Sequence, residues 1–258
     1  MKPIWSVLLV VVAMFAQVLA GSLPASLLSR DNVLRQPLAA VGVTLAGLLL
    51  VFLIRRFLDR RPWSALGWHR PSHILIGVAA GLVPILVANG LSLAVGAVTW
   101  TPVNVSDLVW LPLVFLIVLL NQAFPEELLW RGHLADTLLA RLSPRTVLII
   151  SSVGFGALHI VSQSPAQTIP ERLLFVVTAI VLGFTCTAAR LRGGGVWMAV
   201  GVHWGFHIGM RVLPLQPVHF GVQLVLMMIT LGVAGVVLLR GQGVRWDDQS
   251  TAAGQVKA

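Results

Sequence analysis

Charge is scarce in this chain of 258 residues: 10% are Asp, Glu, Lys or Arg, against 57% hydrophobic. A soluble domain carries roughly 25% charged residues, so too little polar surface is available to face water. The same shortage excludes a disordered chain, which would be polar and strongly charged. Cysteine is almost absent. The single Cys186 lies in an apolar run, which excludes an intramolecular disulfide and a cysteine-rich metal site. No sequence repeat, low-complexity tract or soluble domain is visible. What remains is an all-α polytopic membrane protein with mean hydropathy +0.90. The net charge of +9 would suggest nucleic acid in a soluble protein. Here no basic run is interleaved with aromatics, and the expectation is no nucleic-acid partner.

A helical span needs roughly 20 mostly apolar residues. Eight candidates are visible: Pro3–Ala20, Leu38–Ile54, Ile74–Val98, Leu108–Phe124, Thr146–Val161, Leu173–Ala189, Val196–Val212 and Val218–Leu239. The first could be a signal peptide, with Lys2 before it and Val18-Leu19-Ala20 as a cleavage site. Its length favours a retained span. With the N-terminus inside, 14 basic residues fall on the inner side and four (Arg30, Arg35, Arg172 and Arg211) on the outer. That asymmetry places both termini in the cytoplasm, in what is expected to be a bacterial inner membrane. Trp5, Trp63, Trp68, Trp100, Trp110 and Trp246 sit near span ends, where an interfacial belt favours them. Three parts are expected: N-terminal helices and linker over 1–60, a helical core over 61–240, and a flexible cytoplasmic tail over 241–258.

Ionisable residues at membrane depth are costly, so each is a functional candidate. The first cluster is Phe124-Pro125-Glu126-Glu127-Leu128-Leu129-Trp130-Arg131. Helical spacing continues to about Leu142, where Ser143-Pro144 ends one helix and can start the next. Glu127 and Arg131 are i,i+4 neighbours and can pair. Glu126 lies about 100° around the helix from Glu127 and is left free. Pro125 lacks an N–H and should kink the helix there. The second cluster puts Phe155 and His159 on one face of the fifth span. The third is the i,i+4 pair His203 and His207 in the seventh span, with Gly201, Gly205 and Gly209 as a small-residue ridge. Two positions of offset are about 200° of rotation. The ridge should therefore pack on a helix while the histidines face an intramembrane polar cavity. Each cluster alone also fits a bland reading: interfacial charges meeting water, or histidines hydrogen-bonded between helices. A carboxylate and three histidines on three helices can converge only in the bundle interior, where they suit hydrolysis.

These motifs resemble the CPBP intramembrane proteases, the group holding the CAAX prenyl endopeptidases of the Rce1 type and the bacterial Abi proteins. The family pattern Glu-Glu-x-x-x-Arg, Phe-x-x-x-His, His-x-x-x-Asn reads here as Glu126-Glu127…Arg131, Phe155…His159 and His203…His207. The stretch Arg61-Pro62-Trp63-Ser64-Ala65-Leu66-Gly67-Trp68 is similar to the loop before the family's core, so the likeness runs from about Arg61 to Leu239. His207 departs from the pattern, standing where the prenyl-protease branch has Asn. The resemblance implies an endopeptidase acting on a peptide or protein at the lipid bilayer. Glu126 would be the base for a water shared with His159. His203 and His207 would be oxyanion donors, and Glu127 and Arg131 supports, with Phe155 beside them. Cofactor use stays open: none is required, or a divalent metal such as zinc sits on Glu126, His159, His203 and His207. No His-Glu-x-x-His motif is present. Two other readings stay open, a non-catalytic immunity or scaffold protein of the same fold and a proton-coupled transporter.

One conflict is internal to this reading. The span boundaries put Glu126 at the inner end of the fourth span and His159 near the outer end of the fifth. The two can meet only if the fourth span runs on past Glu126, with its embedded part shifted towards 112–134.

Overall fold

Apolar residues recur along nearly every stretch of this chain, and they fold into helices whose lengths follow the local start and stop signals. The computed structural model describes residues 2–240. Arg245, Trp246, Lys257 and the expected tail over 241–258 lie outside the described residues. Helices α1 (Pro3–Ser26), α2 (Arg35–Leu53) and α3 (His73–Ala94) come first. Helix α4 spans Leu111–Leu139, α5 Pro144–Val161 and α6 Ile169–Gly193. Helices α7 (Val196–Gly209) and α8 (Phe220–Arg240) complete the set. Two short strands, β1 (Val98–Trp100) and β2 (Leu215–Pro217), pair antiparallel with Thr99 opposite Gln216. They tie the end of α3 to the connection between α7 and α8.

Among the described residues, seven helices are long and apolar enough to cross a membrane. The protein is thus an all-α polytopic membrane protein. The seventh expected span, Val196–Val212, is the one that falls short. Helix α7 has 14 residues, about 21 Å of rise, against roughly 30 Å of hydrocarbon. It is enclosed instead, packing on α3, α4 and α6.

Helix α4 corrects the fourth boundary. It continues 15 residues past Phe124, to Leu139, so Glu126 lies mid-helix and not at an end. The α-helical register gives way to π turns at Leu119–Ala123 and Leu128–Leu134, on either side of Pro125. A widened turn is where a proline's missing donor is accommodated. The opening segment of α4, Leu111–Val118, has no buried residue, whereas every residue from Leu128 to Leu134 is buried. One helix therefore passes from a lipid-facing wall into the centre of the bundle. Ser143 ends the following turn by accepting the Thr146 N–H at 3.3 Å, with Pro144 at the first helical position of α5.

Helices α3 and α7 meet backbone to backbone. A Cβ on Gly201 would lie 2.8 Å from Gly77 Cα, and one on Gly205 would lie 2.9 Å from Leu82 N. Gly77 and Gly81 return the same close approach from α3, against Met198, Gly201 and Val202. The ridge thus packs as its spacing implies, and it turns His203 and His207 the other way. The loop before the core holds the start of α7. Gly67, in the left-handed region at φ 85°, presents its carbonyl to the Val196 N–H at 3.0 Å, and Trp68 O accepts from Trp197 Nε1 at 2.8 Å.

Candidate active site

Arg131 is the centre of the polar cluster. Its side chain is wholly buried, and each nitrogen has an acceptor. NH1 donates to Glu127 Oε1 at 2.9 Å, NH2 to Gly183 O at 2.7 Å and Nε to Thr187 Oγ1 at 3.3 Å. Its carbon Cζ sits 4.6 Å over the Phe155 ring. Gly183 leaves the room for this: a Cβ there would stand 3.2 Å from Arg131 NH2 and 3.2 Å from Phe155 Cδ1. Arg190 Nε donates to Arg131 O at 2.8 Å, closing a carbonyl in the second π turn. The i,i+4 pairing of Glu127 and Arg131 is therefore present, and α6 supplies the remaining partners.

Glu127 Oε1 also accepts from His203 Nδ1 at 2.9 Å. His203 is stacked on His207 with centroids 5.0 Å apart, and their Nε2 atoms are 3.2 Å apart. His207 Nδ1 in turn receives Arg211 NH1 at 2.9 Å. Phe155 stands edge-on to His203 at 5.8 Å and 4.9 Å from the His159 ring. His159 is half-buried, and its Nδ1 lies 3.1 Å from Phe155 O. A carbonyl only accepts, so Nδ1 carries the proton and Nε2 presents a lone pair. Phe155 thus sits among the Arg131, His159 and His203 side chains, on the shared face expected of Phe155 and His159.

Glu126 is set differently from Glu127. Both are buried, at 8% and 0% exposure. Glu127 is committed to Arg131 and His203 through Oε1, with Oε2 unpartnered. Glu126 has no ion pair among the described residues, and its Oε2 is buried without a hydrogen-bond partner. No hydrogen bond joins it to the histidines. The extension of α4 removes the boundary that set the clusters apart: α4, α5 and α7 are joined through Glu127, Arg131, Phe155 and His203.

The divalent-metal variant fails on the donor set. Among the described residues no group of three or more His, Cys, Asp or Glu side chains could hold a metal ion. Both nitrogens of His203 and of His207 have partners already, and the Arg211 cation lies against His207. The residues do not fit a resident metal.

Several participants carried weaker sequence signals. Arg131 and Arg190 count as loop charges by position, yet both are buried in the bundle. Thr187 and Gly183 look like ordinary α6 residues. Arg211 continues the His203, His207 spacing by four more, a signal present in the sequence but read there as an outer-loop charge. A second polar network lies further along α4. Asp136 pairs with Arg55 at 2.9 Å and with Arg61 at 2.8 Å, and His133 Nε2 lies 3.4 Å from Asp59 Oδ2. Its hydrogen bond to Asp136 holds the Arg61 guanidinium above its ordinary range.

No curated protein matches the chain. A family model described as type II CAAX prenyl endopeptidase Rce1-like matches residues 108–209, from the foot of α4 to the end of α7. That segment is narrower than the Arg61 to Leu239 stretch over which the motifs are similar, and it contains all three. The family that the three motifs resemble is thus the one whose model matches the chain over residues 108–209, which cover less than half of its length.

Proposed function

We propose that this protein is an intramembrane endopeptidase that cleaves a membrane-associated peptide, with Glu126 as general base and both termini in the cytoplasm. The observation that carries the proposal is the contrast between the two adjacent carboxylates. Glu127 is tied to Arg131 and His203, while Glu126 is buried with Oε2 unpartnered. A carboxylate that is desolvated yet uncommitted is suited to take a proton from water. His159 Nε2, left as a lone pair by the bond of Nδ1 to Phe155 O, would accept a hydrogen bond from the other O–H of that water and orient it; that hydrogen stays on the attacking hydroxide, and the proton taken by Glu126 passes to the leaving amine.

Attack on a peptide carbonyl then needs a donor for the developing oxyanion, a contact worth roughly 3–4 kcal/mol. Within the His203, His207 pair one N–H is spent on Glu127 and the other lies between the two rings. Glu127 and Arg131 fix the helix wall on which Glu126 stands. No step passes through a metal. A prenylated C-terminal peptide is the substrate class that the family match favours.

The test is cleavage of an internally quenched, C-terminally farnesylated CAAX peptide by purified protein, beside the same peptide without the lipid. Glu126→Gln should lower kcat by about 100- to 10,000-fold, the usual range for a general base. Undiminished cleavage by Glu126→Gln would eliminate Glu126 as the base. Cleavage of the bare peptide alone would remove the prenylated class and keep the peptidase.

A further inference from the structure

We infer that Arg211 is a positioning residue that fixes the proton positions of both His207 and His203, through a one-way hydrogen-bond chain ending on Glu127. The argument rests on which groups can only donate and which can only accept. An arginine guanidinium has donors and no acceptor. Arg211 NH1 lies 2.9 Å from His207 Nδ1, so Nδ1 must be the lone-pair nitrogen. The neutral His207 ring then carries its proton on Nε2. That N–H points 3.2 Å to His203 Nε2, which must therefore accept. The proton of His203 is left on Nδ1, where it donates to the Glu127 carboxylate at 2.9 Å. A carboxylate is acceptor-only, so the chain closes without conflict: Arg211 to His207 to His203 to Glu127, with Arg131 donating to the same oxygen from the far side.

Reversing any one link would set two donors or two acceptors face to face. The two Nε2 atoms face each other at 3.2 Å with 22° between the ring planes, so the link runs from ring to ring. Arg211 also donates to His207 O at 3.2 Å, which is ordinary support for the end of α7. The Nδ1 contact is the part that carries proton position. It lies outside the family match, which ends at residue 209.

The consequence, which rests on the peptidase reading, divides the two histidines. His203 has its N–H locked on Glu127 and is the orienting ring. His207 Nε2–H is bonded only to a neutral nitrogen, so it can turn to a substrate oxygen at the smaller cost. His207 is then the oxyanion donor of the pair, and Arg211 ensures that its proton is on the nitrogen facing inwards. This also gives a reason why histidine can stand where the related branch has asparagine: with Arg211 behind it, the ring presents one fixed N–H.

The experiment is ring-15N NMR of the full protein in lipid nanodiscs with labelled histidine. The seven histidines are resolved by comparison with His203→Gln and His207→Gln. Wild type should show His207 protonated on Nε2 alone and His203 on Nδ1 alone. Arg211→Met should leave His207 as a mixture of tautomers, and Arg211→Lys, which restores a donor, should return the single form. Wild-type His207 protonated on Nδ1, or tautomers unchanged in Arg211→Met, would overturn the inference. If Arg211→Met does not fold, the wild-type spectrum alone decides. With the farnesylated peptide, Arg211→Met should lower kcat about 10- to 100-fold at constant KM, as loss of an imidazole-orienting partner does. Equal loss in Arg211→Met and Arg211→Lys would also count against it. The spectrum needs no turnover. A protein without peptidase activity refutes the protease reading and leaves this inference to the NMR result.

Discussion

Removing Arg131 and its carboxylate together should cost less than the two removals summed. In Arg131→Met the buried Glu127 loses the one guanidinium paired with it among the described residues, and Gly183 O and Thr187 Oγ1 each lose a donor. Breaking a buried ion pair by deleting one partner costs about 3–5 kcal/mol, because the other charge is left uncompensated. The low end applies here. Glu127 Oε1 keeps the His203 N–H, and Gly183 O keeps Thr187 Oγ1 at 2.8 Å. In Glu127→Gln with Arg131→Met no uncompensated charge remains, and His203 still finds an amide oxygen. The double variant should therefore recover about 1–2 kcal/mol relative to the sum of the single changes, within the range for directly contacting residues. Equilibrium unfolding in mixed micelles, monitored by the fluorescence of the buried Trp130, measures all four corners of the cycle. Strictly additive costs would refute the claim that the pair is a coupled, desolvated unit, and would reduce it to a bystander of helix packing.

Two further outcomes follow from the same geometry. Gly201→Leu should destabilise the fold by about 1–3 kcal/mol, the usual cost of overpacking, because its Cβ would lie 2.8 Å from Gly77 Cα across the α3–α7 contact. It should also reduce peptidase turnover by displacing His203 and His207. A thermal melt beside an activity assay checks this, and an unchanged melt would mean the helices are not in contact there. Exhaustive chelation should leave peptide cleavage unchanged, because the donor set does not fit a metal. Loss of activity restored by zinc would contradict that reading.

The sequence carried the membrane class, the eight apolar stretches and the pairing of Glu127 with Arg131, because each depends only on composition or on positions four apart on one helix. The Gly201, Gly205, Gly209 ridge and the opposite facing of His203 and His207 were legible for the same reason. The end of the fourth span fell short because a hydropathy window stops at charges, whereas Glu126, Glu127 and Arg131 are all buried, the last two with partners from other helices. Those partners, Gly183, Thr187 and Arg190, bear no mark in sequence beyond their type, and Arg211 shows only as a continuation of the His203, His207 spacing.

What the sequence by itself determined is which side chains can share a helical face, since α-helical periodicity is local. Only the tertiary structure decided which carboxylate His203 would take, and which histidine would keep a movable N–H. Those outcomes depend on how α4, α5, α6 and α7 pack. Inside that packing a donor left without an acceptor is costly, because no water replaces the missing partner. The scarcity of charge made the polar residues conspicuous, and packing then gave Glu127 its partners while leaving Glu126 without an ion pair among the described residues.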